Sequence, residues 1–351
     1  MKALVFRGAA DATVENLEVP EPGPTEVLVR VAVCGVCGSD AAELDHGPIL
    51  TTAPVVLGHE FSGVVEAVGT DVTTLKAGDH VVSGAGISCG ACRPCRRGRT
   101  NLCVDYRTAG LQINGGLAEY TVVPATTLLD VTSSGLSLDT LGLAQPMSIA
   151  VHAVRRSGVS AVDDAIIVGV GGIGAFLTVA ASAIAARVLV VDIDPDRLDL
   201  ALKLGAHHVM NAREGSLAER IEALGLHPDV LFEVSGTRAG LDSVLSAARP
   251  GSTIVPVGIQ RDEVAVPLAQ WTVREYTVVG TNAHVFADDL PDAVRLLATR
   301  DDWSDVAPLV LPLDQAVAEG IEPIRTGSAH RIKTLIDPSI QAARAADHRR
   351  S

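Results

Sequence analysis

The 351 residues show no internal repeat and no low-complexity linker, which sets aside solenoid and tethered-module architectures. Basic residues are in the minority, with 28 Lys and Arg against 42 Asp and Glu and a net charge of −14. Such a chain repels phosphate backbones and anionic headgroups, so neither nucleic acid nor a membrane is expected as partner. The opening MKALVFRGAA lacks an apolar core of signal-peptide length and reads as a strand. The expected compartment is therefore the cytoplasm, where the six cysteines stay reduced. Reduced thiols point to metal binding or catalysis before disulfides. With 47% apolar and 20% charged residues the chain is globular, and its length calls for two domains.

Long uncharged stretches are also scarce. One of 22 residues, Ala165 to Ala186, has the length of a membrane span. Its glycines argue otherwise. Ile166-Ile167-Val168 is a β-branched run, followed directly by Gly169-Val170-Gly171-Gly172-Ile173-Gly174 and an Ala-rich helical segment. A second apolar run, Val188 to Val191, ends on Asp192, 18 residues after Gly174. Strand, glycine turn, helix, strand and terminal acid form the dinucleotide-binding βαβ unit. Gly169 permits the tight turn, Gly171 lets backbone approach a pyrophosphate, and Gly174 lets helix and strand pack closely. The free N–H groups and partial positive charge of the helix N-terminus then face the phosphates. Asp192 accepts hydrogen bonds from the adenosine ribose and opposes a 2′-phosphate. Each like-charge pair at ~4 Å costs on the order of 4 kcal/mol at an effective dielectric of about 20. NAD is expected over NADP. Arg197, early in the next helix, either reaches the cofactor or stands solvated.

Residues 1 to about 145 read as β-rich, with strands at 27–33 and 63–68 and turn clusters at 20–24 and 76–79. From about 150 to 285 strand and helix alternate, as a doubly wound sheet requires. Helices are expected at 195–204, from a capping box Ser216-Leu-Ala-Glu219, and at 241–248. Strands are expected at 229–234, 252–258 and 277–280. A helix at 289–298 and a strand at 331–336 follow, and the tail from Asp337 is expected to be a loosely attached surface segment.

Cys89, Cys92, Cys95 and Cys103 form C-x2-C-x2-C-x7-C, which closes a tetrahedral zinc shell with no open position and so predicts a structural site. Arg93, Arg96, Arg97 and Arg99 offset its charge. A nucleic-acid zinc ribbon would need a second CxxC pair, which is absent. Cys37-Gly-Ser39-Asp40 and Gly58-His59-Glu60 supply borderline-soft donors for a second zinc with a free position for substrate. Taken alone, a single His beside a Gly is more often a capped turn, and a lone Cys more often core.

Together with the lobe and the nucleotide unit they carry a resemblance. CGSD at 37–40, GP at 47–48, GHEFSG at 58–63, AGD at 77–79, GGLAEY at 115–120 and Gln145-Pro146, in this order, make the chain to about residue 336 resemble the zinc-dependent medium-chain alcohol dehydrogenases. The butanediol and sorbitol dehydrogenase branch is the most similar. The resemblance implies an α/β protein with a β-rich GroES-like catalytic domain at 1–149, carrying the zinc lobe 89–103. A doubly wound Rossmann NAD-binding domain at 150–287 follows, and a segment at 288–351 returns to the catalytic domain. It implies Cys37 and His59 as catalytic zinc ligands, Glu60 as a direct or exchanging ligand, Asp40 as the group orienting His59, and Ser39 as the hydroxyl that takes the substrate proton. Val257-Gly258 and Thr281-Asn282 stand where the family lines the nicotinamide.

Two departures stand out. Relatives carry Glu or Asp where this chain has Gln145, leaving either Glu60 or a water to complete the metal shell. Ala42 replaces the histidine that ends the proton relay, with Glu43 and His46 nearby but expected to be solvated. Cys34 reads as a buried thiol and His152 as structural. The implied activity is hydride transfer between a secondary alcohol, vicinal diol or polyol and NAD, in a homodimer or homotetramer with two zinc ions per chain. A glucose-type aldose dehydrogenase and a catalytically silent, zinc-stabilised NAD-binding regulator are the alternatives.

Overall fold

The computed structural model describes residues 1–260 and 263–349, which divide into two compact units. One comprises Met1–Ser148 and the residues from His284 onward; the other is continuous, Ile149–Ala283.

The first unit is organised on the strand Glu26–Gly35, whose VLVRVAVC run buries six of its eight residues. It pairs antiparallel with Glu60–Val68, with Tyr120–Pro124 and, at its end, with Leu335–Asp337. His80–Ser83 and Leu128–Asp130 extend the sheet on one side, Leu309–Pro312 and Arg344–Ala345 on the other. A three-stranded sheet of Asp11–Asn16, Lys2–Gly8 and Val55–Val56 stands apart from it. Leu4, Phe6, Val29, Val31, Phe61, Leu117 and Ile336 share one core. The late strand is shorter than 331–336, because Lys333 turns inward while Val36 N–H bonds the Thr334 carbonyl at 3.0 Å.

The expectation of a loose tail is overturned. Arg344 donates to Asp139 and lies 3.4 Å from Asp337, the Asp347 N–H meets Asp139 at 2.7 Å, and His348 is buried. The His348 ring reaches Thr140 Oγ1 at 3.0 Å and the Ala307 carbonyl at 2.7 Å. Composition alone suggested a solvated segment, but its polar side chains have buried partners.

The second unit is a six-stranded parallel sheet. Its strands are β1 (Asp164–Val168), β2 (Arg187–Asp192), β3 (His208–Asn211), β4 (Pro228–Glu233), β5 (Thr253–Pro256) and β6 (Thr277–Val278). Their spatial order is 3-2-1-4-5-6, the doubly wound order with its switch point between β1 and β4. The long uncharged run is β1, a turn and the helix α1 (Gly172–Ser182), buried over most of its surface. Among the described residues no helix is long and apolar enough to cross a membrane. The helix α2 (Pro195–Lys203) is N-capped by Asp194. The helix α3 (Leu217–Ala223) starts at Ser216 as expected, but the Ser216 side chain makes no cap bond; it is exposed, and water competes for the free N–H groups. The helix α4 (Arg238–Ala247) opens at Thr237, whose hydroxyl accepts from Gly240 N–H, three residues earlier than the apolar pattern indicated.

Candidate active site

Cys37 caps the helix Gly38–His46, and Asp40, in its first turn, accepts the Cys37 N–H through Oδ2 at 2.9 Å. That bond fixes the backbone of the thiol-bearing residue. His59 and Glu60 open the strand Glu60–Val68 behind Gly58, whose φ of +97° a side chain would strain. A Cβ on Gly110 or Gly115 would lie 2.5 or 2.1 Å from the Gly58 backbone, so only glycine admits this approach. His59 is thus backed by rigid chain. One donor atom each from Cys37, His59 and Glu60 lies within 4.8 Å of the others. Ser39 Oγ stands 3.5 Å from His59 Nε2.

On its other side His59 Nδ1 is 3.9 Å from Asp40 Oδ1, and both atoms are buried without a hydrogen-bond partner. Buried polar atoms are normally satisfied. A small approach pairs them as the carboxylate–imidazole couple that aims Nε2 at a metal. Burial alone would depress the His59 pKa, but the Cys37 thiolate, Asp40 and Glu60 outweigh it and push it up to about 10. Thiolate, imidazole and carboxylate brought this close are a zinc donor set. Gln145 is buried near the start of the helix Ala144–Ser157, which also carries the buried His152. Cys34 is fully buried, and burial raises its thiol well above the ordinary range.

In the lobe, Cys92 Sγ lies 3.4 Å from Cys95 Sγ and 4.0 Å from Cys103 Sγ. A disulfide needs ~2.05 Å, whereas a zinc tetrahedron with ~2.3 Å bonds has sulfur–sulfur edges of about 3.8 Å. All four sulfurs fall within 4.8 Å of one another. The N–H groups of Cys89, Cys92 and Asp105 point at sulfur, at 3.2, 3.4 and 3.4 Å. Backbone donors lower the Cys92 thiol to about 6. These features suit a tetrathiolate metal site.

At the switch point Gly169 has φ +106°, and a Cβ on it would meet Ser235 N at 2.8 Å. A Cβ on Gly174 would lie 2.0 Å from the Gly169 carbonyl, while one on Gly171, the residue capping α1, would enter open space. Asp192 accepts from Val170 N–H at 2.6 Å and from Ile193 and Asp194 N–H at 2.8 and 3.0 Å. The acid therefore also ties β2 to the glycine turn. Arg197 lies 3.6 Å from Asp194. Val257 and Gly258 both donate their N–H groups to the Glu233 carbonyl, and Thr281 Oγ1 is buried without a partner.

Comparison with known proteins agrees with this geometry. Residues 23–133 match the alcohol dehydrogenase GroES-like domain, and 172–299 match the zinc-binding dehydrogenase domain. Human sorbitol dehydrogenase is 33% identical, with 97% of each chain covered. The chain belongs to the zinc-binding alcohol dehydrogenase family. The structure of Bacillus subtilis 2R,3R-butanediol dehydrogenase superposes with a TM-score of 0.88 at 29% identity, covering 96% of this chain and 99% of that one. A zinc-binding dehydrogenase from Sinorhizobium meliloti, solved with NADP, gives 0.87 at 31% identity with 96% and 99% covered.

In this dehydrogenase one neighbour of the site escaped the sequence reading and another was misplaced by it. Lys333 Nζ sits 2.6 and 2.5 Å from the two Glu60 oxygens and 3.2 Å from the Val36 carbonyl, with both side chains buried. Burial works against the Lys333 charge, yet Glu60 and Cys37 raise its pKa. A lysine within a late apolar run is the only trace in the sequence. Glu43, expected to be solvated, is buried instead. It accepts from Ile49 and Leu50 N–H at 2.9 and 2.6 Å and from the Thr51 hydroxyl at 2.7 Å. Burial would raise its pKa, but these donors, Thr51 first, hold it below the usual carboxylate value. His46 is exposed beside Asp45 at 3.0 Å.

Proposed function

We propose that this dehydrogenase passes hydride between the secondary carbinol of a vicinal diol or polyol and NAD, with two zinc ions per chain. Cys37, His59 and Glu60 hold the catalytic ion, with Gln145 joining them directly or through water. Cys89, Cys92, Cys95 and Cys103 hold the structural one. The observation that carries this reading is the convergence of Cys37, His59 and Glu60 donors within 4.8 Å in a chain that also carries the Gly169–Gly174 turn.

An alcohol ionises near pH 16, and a zinc ion, which takes bound water from 15.7 to about 7, supplies roughly 12 kcal/mol for a comparable drop at 1.36 kcal/mol per unit. Asp40 fixes the Cys37 backbone and orients His59. Ser39, half-exposed and 3.5 Å from His59 Nε2, accepts the substrate hydroxyl proton at Oγ and passes it outward. With Ala42 in the relay position and Glu43 engaged in its loop, water carries the proton on from Ser39. Gly171 and the N-terminus of α1 receive the pyrophosphate. Asp192, with a lone pair remaining beside its three backbone bonds, takes the ribose and disfavours a 2′-phosphate. Arg197, paired with Asp194, stands at the margin of that site.

Sorbitol and butanediol, the substrates in the names of similar proteins, set the substrate class. Gln145 favours a second reading, an aldose dehydrogenase, because an amide leaves the metal site one charge more positive. A metal count and NADH formation with butanediols, sorbitol, glucose and a simple secondary alcohol decide the matter. Two zinc ions and turnover of a diol or sorbitol are expected; one zinc and no turnover on the whole panel would sink the proposal. Equal turnover with NADP would refute the role of Asp192. The edge strand β6 is exposed, and the neighbouring helix Leu268–Val273 buries no residue, which supports a homodimer or homotetramer. Sedimentation of a monomer at micromolar concentration would overturn that. The six free cysteines suit the cytoplasm.

A further inference from the structure

At the carboxyl end of β4 lies a carboxylate with no place in the chemistry above. Glu233 is fully buried. Its Oε1 accepts from Ser235 N–H at 2.9 Å and from the Ser235 hydroxyl, and Gly236 N–H approaches at 3.1 Å. Its Oε2 accepts from Gln260 Nε2 at 3.0 Å. Gln260 also reaches the Thr237 carbonyl at 3.3 Å. The Glu233 carbonyl takes the N–H groups of Val257 and Gly258 at 2.7 and 2.9 Å. One residue thereby grips the loop after β4 and the loop after β5.

The fit around it is close. A Cβ on Gly240 would lie 2.7 Å from Glu233 Oε1, and one on Gly258 would lie 2.2 Å from Gly236 N. The two loops bound a cavity of about 560 Å³ lined by Ser235, Thr237, Gly258 and Gln260 among others. On its other side Ser235 N abuts Gly169, the first glycine of the turn. The grip thus spans from the pyrophosphate turn to Val257-Gly258, the pair proposed to line the nicotinamide.

We propose that Glu233 and Gln260 form a positioning lock that sets the loop after β5, and with it the nicotinamide end of the cofactor, in register with the glycine turn. A buried carboxylate whose acceptor positions are filled by two loops holds them at a fixed separation, since releasing either donor strands a buried charge. Glu233 is the anchor and Gln260 the half-buried pin. Loss of the pin leaves Val257 and Gly258 held only by their backbone bonds to the Glu233 carbonyl and releases the loop beyond them, while the loop after β4 stays bonded to the Glu233 carboxylate. The adenosine end is then little affected, and the nicotinamide end loses its support.

This inference rests on the reading of the second unit as the cofactor site. It is tested on the full-length, zinc-loaded protein with Gln260→Ala and Gln260→Lys, titrated with NADH and with ADP-ribose, which lacks the nicotinamide. Gln260→Ala should weaken NADH about tenfold, weaken ADP-ribose far less, and raise the KM for NAD. Gln260→Lys, which keeps a donor for Glu233, should restore most of the NADH affinity. Equal weakening of both ligands, or no change in either, would overturn the lock while leaving the cofactor site standing. A wild-type protein that binds neither ligand would overturn the cofactor reading itself, and the lock with it.

Discussion

The four-cysteine lobe takes every donor from one short segment, Cys89 to Cys103, and leaves Cys89 exposed. The Cys37–His59–Glu60 cluster is assembled from a helix N-terminus and a strand end. It is braced by Lys333, 273 residues from Glu60 in sequence. The lobe closes on itself over 15 residues, so an ion held there would supply much of its structure. The buried cluster is set by the eight-stranded sheet and by glycine contacts, so the protein holds the ligands before the ion arrives. A local chelate is cheap to encode and depends on its metal; a frame built across the chain is costly to encode and is preorganised.

That contrast can be broken from either side. His59→Ala or Cys37→Ser should abolish turnover while NAD binding, by fluorescence titration, stays near wild type; a matching loss of NAD affinity would erase the division of roles. Cys95→Ser should lower the zinc content from two ions to one. It should also destabilise the protein by several kcal/mol, a fraction of the roughly 10–16 kcal/mol that small zinc modules gain from their ion. A stability equal to wild type in urea would mean the lobe folds without metal. Lys333→Met strands the Glu60 carboxylate and should cost about 3–5 kcal/mol; the Lys333→Met, Glu60→Gln double variant should recover much of it, and no recovery would show that the two do not act as a pair.

The smallest expected effect concerns Glu43. Removing its charge with Glu43→Gln should cost about 1.5–3 kcal/mol near neutral pH. Its folded pKa is depressed below the usual carboxylate value by the Thr51 hydroxyl and the backbone donors. The stabilisation is therefore present above that value and lost as the pH falls through the folded pKa. Wild type and variant should converge as the pH falls through the folded pKa, and urea midpoints that stay parallel throughout the acid range would contradict the assignment.

Features set by near neighbours were legible in the sequence. The strand–glycine–helix–strand unit around Gly169 and the four-cysteine spacing announce themselves through local turns and short-range ligand spacing, while the Cys37 and His59 segments were legible only through the family resemblance. Features set by distant pairing were not. Nothing near residue 333 signals that its ammonium faces Glu60, and nothing in the Ala- and Arg-rich tail signals that Arg344 meets Asp139 or that His348 is enclosed. Glu43 misled for the same reason: its charge suggests solvent, and only the fold shows three backbone N–H groups aimed at it. The Ser216 cap erred in the other direction, a local motif on an exposed side chain that makes no cap bond.

The nucleotide-binding unit is one uninterrupted stretch, while the catalytic unit is completed by residues from both ends of the sequence. On the ribosome the inserted unit has its whole sequence available first. The strand Leu335–Asp337 and Lys333 emerge only after the whole inserted unit. Until then the Glu60 carboxylate lacks its counter-charge and the central strand its neighbour. A nascent chain cut short between Ala283 and Lys333 therefore carries a finished cofactor fold and an unfinished metal centre, so that such a truncated product is disarmed before it can reduce or oxidise anything.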